Sequence, residues 1–337
     1  MPFQRMPFRR YKAIVIGCGS IGALKDSQYD SPGNSDQIFT HAHAYYEHPD
    51  IELIGVIDTD FEKVKKAGNK WLCLAYHNYN FDFELDADII SVCVPTENHA
   101  EILREIIKLQ PKLVIAEKPF CSNLKEALVI TELYKQANIP ILINYTRRFD
   151  LIGSEILNKI KNGEYGKIYH ARCLYGRGLK RDGCHAIDIF NWVLGKPRGG
   201  NWGGWGWGSG GVVDYLSDDP SYDLNLKYEK CGFVKMVGVD SRNYGLFEIE
   251  FVTEKGIISF TKWGQHVHIS TPEPEKTYGQ YQSLIRNKEF IASGLNMALY
   301  NMAQNAVDFL DGKTDLKCTV EDALKVHKVI EEITVDE

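Results

Sequence analysis

Five short apolar runs, at 13–16, 51–57, 88–94, 112–116 and 139–143, recur through the first 146 residues with little polar alternation inside them. Runs of that length without a polar face predict strands buried on both sides. The segments between them change period: 100–107 and 124–130 space apolar residues three and four apart, as a helix packed on a sheet requires. Strand and helix in alternation predict a doubly wound parallel sheet over residues 1–146. After Arg148 the pattern changes. A helix over 151–162, a Gly163-Glu164-Tyr165-Gly166 turn, a strand over 167–175 and a helix over 185–194 closed by Gly195 and Pro197 lead into alternating strands. Segments 223–228 with 233–239, and 245–253 with 256–261, predict two hairpins of an open, mostly antiparallel sheet with one face available for packing. Two amphipathic helices should follow, over 282–311 with a break and over 320–334, the second opened by Thr319 as N-cap with Asp322 three residues on. The expected organisation is a dinucleotide-binding domain over 1–146 and an α/β domain over 147–337 whose final helices dock back.

Length and charge narrow the classes. At 337 residues and 44% hydrophobic, the chain can build two cores. A net charge of −6 leaves no basic stripe for nucleic acid. No apolar stretch reaches membrane-spanning length and the first ten residues lack a signal-peptide core, so a cytoplasmic protein with small-molecule partners is expected. Eight cysteines without a Cys-x-x-Cys pair read as reduced, buried thiols. His41/His43 and His266/His268 have the spacing of one strand face and no cysteine or carboxylate cluster near them, so no metal site is expected.

The first apolar run feeds Gly17-Cys18-Gly19-Ser20-Ile21-Gly22. In a Gly-x-Gly-x-x-Gly turn the first glycine permits the bend, the second admits a pyrophosphate to the backbone, and the third lets the following helix close on the strand. The second run ends in Asp58, a carboxylate placed to accept from a ribose diol and repel a 2′-phosphate. Together they predict a nicotinamide dinucleotide, NAD over NADP. Between Gly22 and Asp58 the unit is longer than usual. The surplus is the polar stretch 25–40, an inserted loop that is either a solvated decoration or a cover for cofactor or subunit. The Gly/Trp stretch 199–211, with Trp202, Trp205 and Trp207, reads as a sugar-stacking surface or as packing at a subunit interface.

The fourth run, 112–116, leads into Glu117-Lys118-Pro119, which puts a lysine at the carboxyl edge of the sheet, where doubly wound folds bind ligands. Partial burial and a cationic nicotinamide would both fit it for proton transfer. Further motifs follow in order: 93–100 with Pro95, Thr96 and His99, Asn144-Tyr145-Thr146-Arg147-Arg148-Phe149, 163–167, and His185-Ala186-Ile187-Asp188. Together with the glycine turn they resemble the Gfo/Idh/MocA family of glucose-fructose oxidoreductases and inositol dehydrogenases, over about residues 11–335. The resemblance implies a hydride transfer between nicotinamide and a secondary alcohol or ketone of a sugar, cyclitol or nucleotide-sugar, in a homodimer or homotetramer built on the open sheet. It implies that Lys118 and His185 face the reacting hydroxyl, one taking the proton and the other polarising the oxygen. It further implies that Arg147, Tyr145 and His185 contact substrate, that Pro95, Thr96, Glu117 and Lys118 line the cofactor beside Gly17, Gly19, Ser20, Ile21, Gly22 and Asp58, and that Arg148 braces the domain junction. His99 is expected to be structural. Relatives often carry an aspartate four residues before the histidine; here Arg181 stands there and Asp182 lies three before His185. Either Asp182 still supports the imidazole, or that role has passed to Asp188 or vanished. A non-catalytic NAD(H)- and sugar-binding regulator on the same scaffold is the alternative reading.

Overall fold

The computed structural model describes residues 10–25, 27–78, 86–198, 211–212, 218–275, 277, 279, 281–285 and 289–335. The Gly/Trp stretch with Trp202, Trp205 and Trp207 lies outside the described residues, apart from Gly211. The chain divides into two compact units, one of residues 1–149 and 296–324, the other of 150–295 and 325–337. Residues 296–324, which lie beyond the boundary expected at 146/147, group with the first unit.

In the first unit, strands β1 (Tyr11–Ile16), β2 (Ile51–Asp58), β3 (Leu74–His77), β4 (Ile89–Val92), β5 (Leu113–Glu117) and β6 (Ile141–Asn144) form one parallel sheet in the order β3-β2-β1-β4-β5-β6. Every residue of β4, β5 and β6 is buried, which is why these strands read as unbroken apolar runs. β3 escapes that signal. It is a short edge strand with Leu74 61% exposed, held by its ladder to β2 and not by burial. Helices α1 (His41–Glu47), α2 (Phe61–Trp71), α3 (Thr96–Ile106) and α4 (Leu124–Ala137) alternate with the strands. Side-chain caps start three of them: Thr40 accepts from the His43 amide, Asp60 from the Glu62 and Lys63 amides, and Asn123 from the Glu126 amide. The order reverses between β1 and β4, creating the switch point at whose carboxyl ends such sheets bind ligands.

The 25–40 insertion is spliced into the first helix. The turn after β1 closes with the Ala23 and Leu24 amides donating to the Gly19 carbonyl, and the chain then leaves. When it re-enters at α1, the His41 amide donates to Ile21 O (3.0 Å) and the Ala42 amide to Gly22 O (2.9 Å). His41 and His43 thus sit on a helix and not on a strand, because Thr40 caps it by accepting from the His43 amide. The loop is anchored from within by buried Asp30, whose carboxylate takes Lys70 Nζ (2.6 Å), Thr40 Oγ1 (3.0 Å) and the Lys25 amide (3.0 Å). Burial pushes that carboxyl up, but hydrogen bonds from His43 and Lys70 outweigh it and hold it below its ordinary value.

In the second unit, helix α5 (Leu151–Lys161) precedes β7 (Ile168–Tyr175), and helix α6 (Cys184–Leu194) follows it. Short strands β8 (Gly211–Val212) and β9 (Ser221–Tyr222) pair with each other. The large sheet adds β10 (Leu224–Leu226), β11 (Val234–Gly238), β12 (Phe247–Thr253), β13 (Gly256–Thr261), β14 (His266–Pro274), β15 (Gln282–Ile285) and β16 (Ile291–Ala292). Its order is β10-β11-β7-β12-β13-β14-β15, with β16 also on β14, and only β11–β7 is parallel. β11, β12 and β13 alternate buried and half-exposed residues strictly, so one face is core and the other is open. Phe190 of α6 meets Phe251 of β12 on the covered face.

The expected helix over 282–311 is wrong for its first half. Residues 282–285 pair with 271–274 and 291–292 pair with His266 and Val267; their side chains are mostly exposed, with no apolar stripe to bury as a helix. Helix begins only at α7 (Ala298–Leu310), and α8 (Val320–Val335) ends the described chain. The Thr319 amide donates to Asp322 Oδ2 (3.3 Å), half of the capping box expected there. Returning residues bind the first unit specifically: the Ile143 amide donates to Cys318 O, Asn301 Nδ2 to Phe149 O, and Tyr11 OH to Asp311 Oδ1.

Candidate active site

The glycine turn is held at the carboxyl end of β1. The Gly17 amide donates to Ile57 O (2.8 Å), and the Cys93 amide donates to Ile16 O (2.7 Å). Gly17 has φ +97, and a side chain there would meet the Cys93 carbonyl carbon at 2.6 Å. A Cβ at Gly22 would lie 1.8 Å from Gly17 O, so that glycine lets the turn close on itself. Gly19 differs. A Cβ there would meet nothing within 4 Å, and neighbouring Ser20 is exposed. An open glycine between two occluded ones fits the close approach of a pyrophosphate, and a side chain at Gly19 would fill that space.

Asp58, 8% exposed at the end of β2, accepts the Cys18 amide on Oδ2 (2.6 Å) and the Asp60 amide on Oδ1 (2.9 Å). Each oxygen keeps a lone pair, so a ribose diol can still be bound while the amides fix the carboxylate. Across the switch point, exposed Pro95 and half-buried Thr96 open α3. His99 is structural: its ring nitrogens lie 3.1 Å from Phe120 O and 2.9 Å from Val94 O, and burial pushes its pKa down against those contacts.

Lys118 is half-buried immediately after β5, and its peptide bond to Pro119 is cis. Glu117 is the last residue of β5. Its Oε1 receives His41 Nε2 at 2.9 Å and Asn144 Nδ2 at 2.6 Å, and His41 Nδ1 lies 2.9 Å from Ser91 Oγ, itself 2.5 Å from Tyr45 OH. Tyr45, Ser91, His41 and Asn144 are fully buried and Glu117 nearly so. Burial pushes the Glu117 carboxyl up, but the hydrogen bonds from His41 and Asn144 oppose it and bring it below its ordinary value. The sequence reading named Glu117 and missed the rest. Their signal was faint: a serine inside Ile89–Val92, an asparagine ending β6, and a histidine and tyrosine four apart in a seven-residue helix.

Tyr145 is buried and Arg147 half-buried in the turn after β6. Arg148 donates to Lys317 O and to Asp322 Oδ2, both at 3.1 Å. Lys317 and Asp322 belong to the first unit, so these two contacts of Arg148 brace the returning chain there.

Asp182 and His185 belong to the second unit, each 8% exposed. They bracket the start of α6, after a wide turn in which the Asp182 and Gly183 amides both donate to Gly178 O (3.1 Å). Arg177 Nε lies 3.8 Å from Asp182 Oδ2, and the His185 ring meets Phe247 edge-on. The wide turn is built by a segment the sequence reading passed over. Four consecutive amides are taken by residues 219–221: Gly178 by Ser221 Oγ (3.0 Å), Leu179 by Pro220 O (3.1 Å), Lys180 by Asp219 Oδ1 (2.8 Å) and Arg181 by Asp219 Oδ2 (2.9 Å). Among the described residues no group of three His, Cys, Asp or Glu could hold a metal, and no helix is long and apolar enough to cross a membrane.

Comparison with known proteins agrees with this architecture. Residues 12–145 match the GFO_IDH_MocA oxidoreductase family, NAD-binding Rossmann fold. Myo-inositol 2-dehydrogenase of Thermotoga maritima is 30% identical over 82 residues, 24% of each chain. The chain spans less than half the length of the curated relatives it matches, 40%, 24% and 43% of them. The 3-ketoreductase KijD10 of Actinomadura kijaniata, solved with TDP-benzene and NADP, superposes with a TM-score of 0.72 at 14% identity over 97% of both chains. The WlbA dehydrogenase of Bordetella pertussis, solved with NADH and UDP-GlcNAcA, does so at 0.72 and 14% over 96% of this chain and 94% of its own. At that identity the likeness is one of fold. Residues 12–145 thus carry the NAD-binding Rossmann fold described by the GFO_IDH_MocA oxidoreductase family model.

Proposed function

We propose that this protein is an NAD-dependent dehydrogenase or reductase acting on a secondary alcohol or ketone of a sugar, cyclitol or nucleotide-sugar. The observation that carries the reading is a half-buried lysine, Lys118, beside a hydrogen-bonded carboxylate at the carboxyl end of β5, in a parallel sheet whose first turn leaves Gly19 open. In this fold one half of the sheet takes the adenosine and the other the second nucleotide, which assigns Asp58 to the ribose diol and Pro95, Thr96, Glu117 and Lys118 to the nicotinamide side. The nicotinamide supplies or accepts the hydride. Lys118 and His185 divide the remaining work, one carrying the hydroxyl proton and the other polarising the oxygen. Asp182 supports His185, and Arg147 and Tyr145 orient substrate.

The fixed Asp58 carboxylate favours NAD by opposing a 2′-phosphate. Names of relatives, an inositol dehydrogenase and two proteins solved with nucleotide or nucleotide-sugar ligands, support the substrate class. The open, alternating face of β11–β13 supports pairing with a second copy in a homodimer or homotetramer. Reduced thiols suit the cytoplasm.

The test is a panel of sugars, cyclitols and nucleotide-sugars with NAD and NADP, followed by Lys118→Ala on whichever substrate turns over. The variant should lose about two to four powers of ten in kcat while binding NADH nearly as before. Unchanged turnover would remove Lys118 from the chemistry. Binding of cofactor and sugar without turnover of any panel member would favour the regulatory alternative.

A further inference from the structure

Tyr45, Ser91, His41, Glu117 and Asn144 come from α1, β4, β5 and β6 and meet as one buried string of hydrogen bonds ending beside Lys118. One arrangement with neutral imidazole satisfies the Tyr45, Ser91 and His41 groups, while Asn144 Oδ1 is left buried without a partner. Asn144 Nδ2 can only donate, so Glu117 Oε1 accepts. With its proton on Nε2, His41 donates to the same oxygen, accepts from Ser91 on Nδ1, and leaves Ser91 to accept from Tyr45. The protons of Tyr45, Ser91 and His41 then each have an acceptor. A doubly protonated ring would have to donate to Ser91, reverse the serine proton toward Tyr45, and strand the Tyr45 proton in a fully buried position. The string therefore delivers two donors to one carboxylate oxygen and adds no positive charge of its own.

We propose that Glu117, held ionised by this string, is a fixed counter-charge that makes the carboxyl end of β5 favour oxidised, cationic nicotinamide over the neutral reduced form, with His41 as its positioning residue. The inference rests on the dehydrogenase reading. A buried anion is screened far less than an exposed one, and the oxidised and reduced cofactors differ by one positive charge on the ring. Lys118 opposes the effect, but it is half-buried and carried on a flexible stem, whereas Glu117 is fixed by two hydrogen bonds.

The experiment measures dissociation constants of NAD and NADH for the full chain, by calorimetry and cofactor fluorescence, and takes their ratio. Glu117→Gln should raise the NAD-to-NADH ratio of Kd values about tenfold, mainly by weakening NAD. His41→Leu should shift the ratio the same way. His41→Gln, whose amide can donate to Glu117 and accept from Ser91, should restore it to within about twofold of the unaltered protein, which a role in folding alone would not predict. Should Glu117→Gln fail to fold, the two His41 variants carry the test. A ratio unchanged in the variants, or both affinities falling equally, overturns the inference and leaves the dehydrogenase reading standing. Failure of the unaltered protein to bind either form overturns both.

Discussion

The amide of Ala42 donates to the carbonyl of Gly22 at 2.9 Å, resuming after residues 25–40 a helical turn begun before them. The insertion thus adds chain without displacing the glycine turn or the helix behind it. Loop-closure cost grows slowly with length, so such an addition is tolerated if its ends are held.

Here the hold comes from Asp30. Asp30→Ala leaves Lys70 without its carboxylate and Thr40 without its acceptor, and should cost about 2 kcal/mol in urea unfolding. Exposed Asp36 in the same loop should change stability by less than about 0.5 kcal/mol when replaced by alanine.

Gly19 and Gly22 should separate binding from folding. Gly19→Ala meets open space, so thermal unfolding should stay within a few degrees of the original while NADH affinity falls at least about tenfold. Gly22→Ala drives a methyl into Gly17 O and should lower the unfolding temperature markedly. Equal effects on folding and affinity at both positions would count against a cradle at Gly19.

Asp219 reaches the wide turn before α6 with both carboxylate oxygens. Asp219→Ala frees two amides of the turn that carries Asp182 toward His185. We expect kcat to fall about ten- to a hundredfold with NADH affinity unchanged, because the residues proposed to hold the cofactor lie in the other unit. Steady-state kinetics beside a cofactor titration would check this. A fall in NADH affinity matching the fall in kcat would count against it.

Acid should destabilise the second unit in a defined window. Burial, with a contribution from Lys180, brings the His327 imidazole down to about 4 from 6.5. Between those values the unfolded chain binds a proton that the folded chain refuses, so stability falls as pH drops through the window, by up to about 3 kcal/mol. His99 shifts in the same direction. The depressed carboxyls of Glu117 and Asp30 act in the same direction but lower on the scale: their contribution is present above the ordinary carboxyl pKa and is lost only as pH falls through their folded values. Urea unfolding from pH 7 to 4 should show the first loss, and His327→Gln should flatten it.

The parallel sheet was legible because buried strands carry little but apolar residues, and the glycine turn because its spacing is local. Residues 282–292 misled because an exposed edge strand and an amphipathic helix share sparse apolar positions, and only pairing with β14 decides between them. The His41–Glu117 contact joins residues 76 apart and the Asp219 clamp residues 38 and 39 apart, so no window along the chain holds both partners. Lys118, Glu117 and His185 were readable through flanking motifs. Their supports were not, since a polar residue in an apolar run looks alike whether it is tolerated or required.

Segment 296–324 completes the first unit long after residues 1–149 have been synthesised, with Thr319 bridging to Leu142 and Asp311 receiving Tyr11. A nascent chain on the ribosome must therefore hold a half-finished nucleotide-binding lobe while the whole of 150–295 emerges. The Leu142–Thr319 bridge and the Tyr11–Asp311 hydrogen bond can form only once that later segment has emerged.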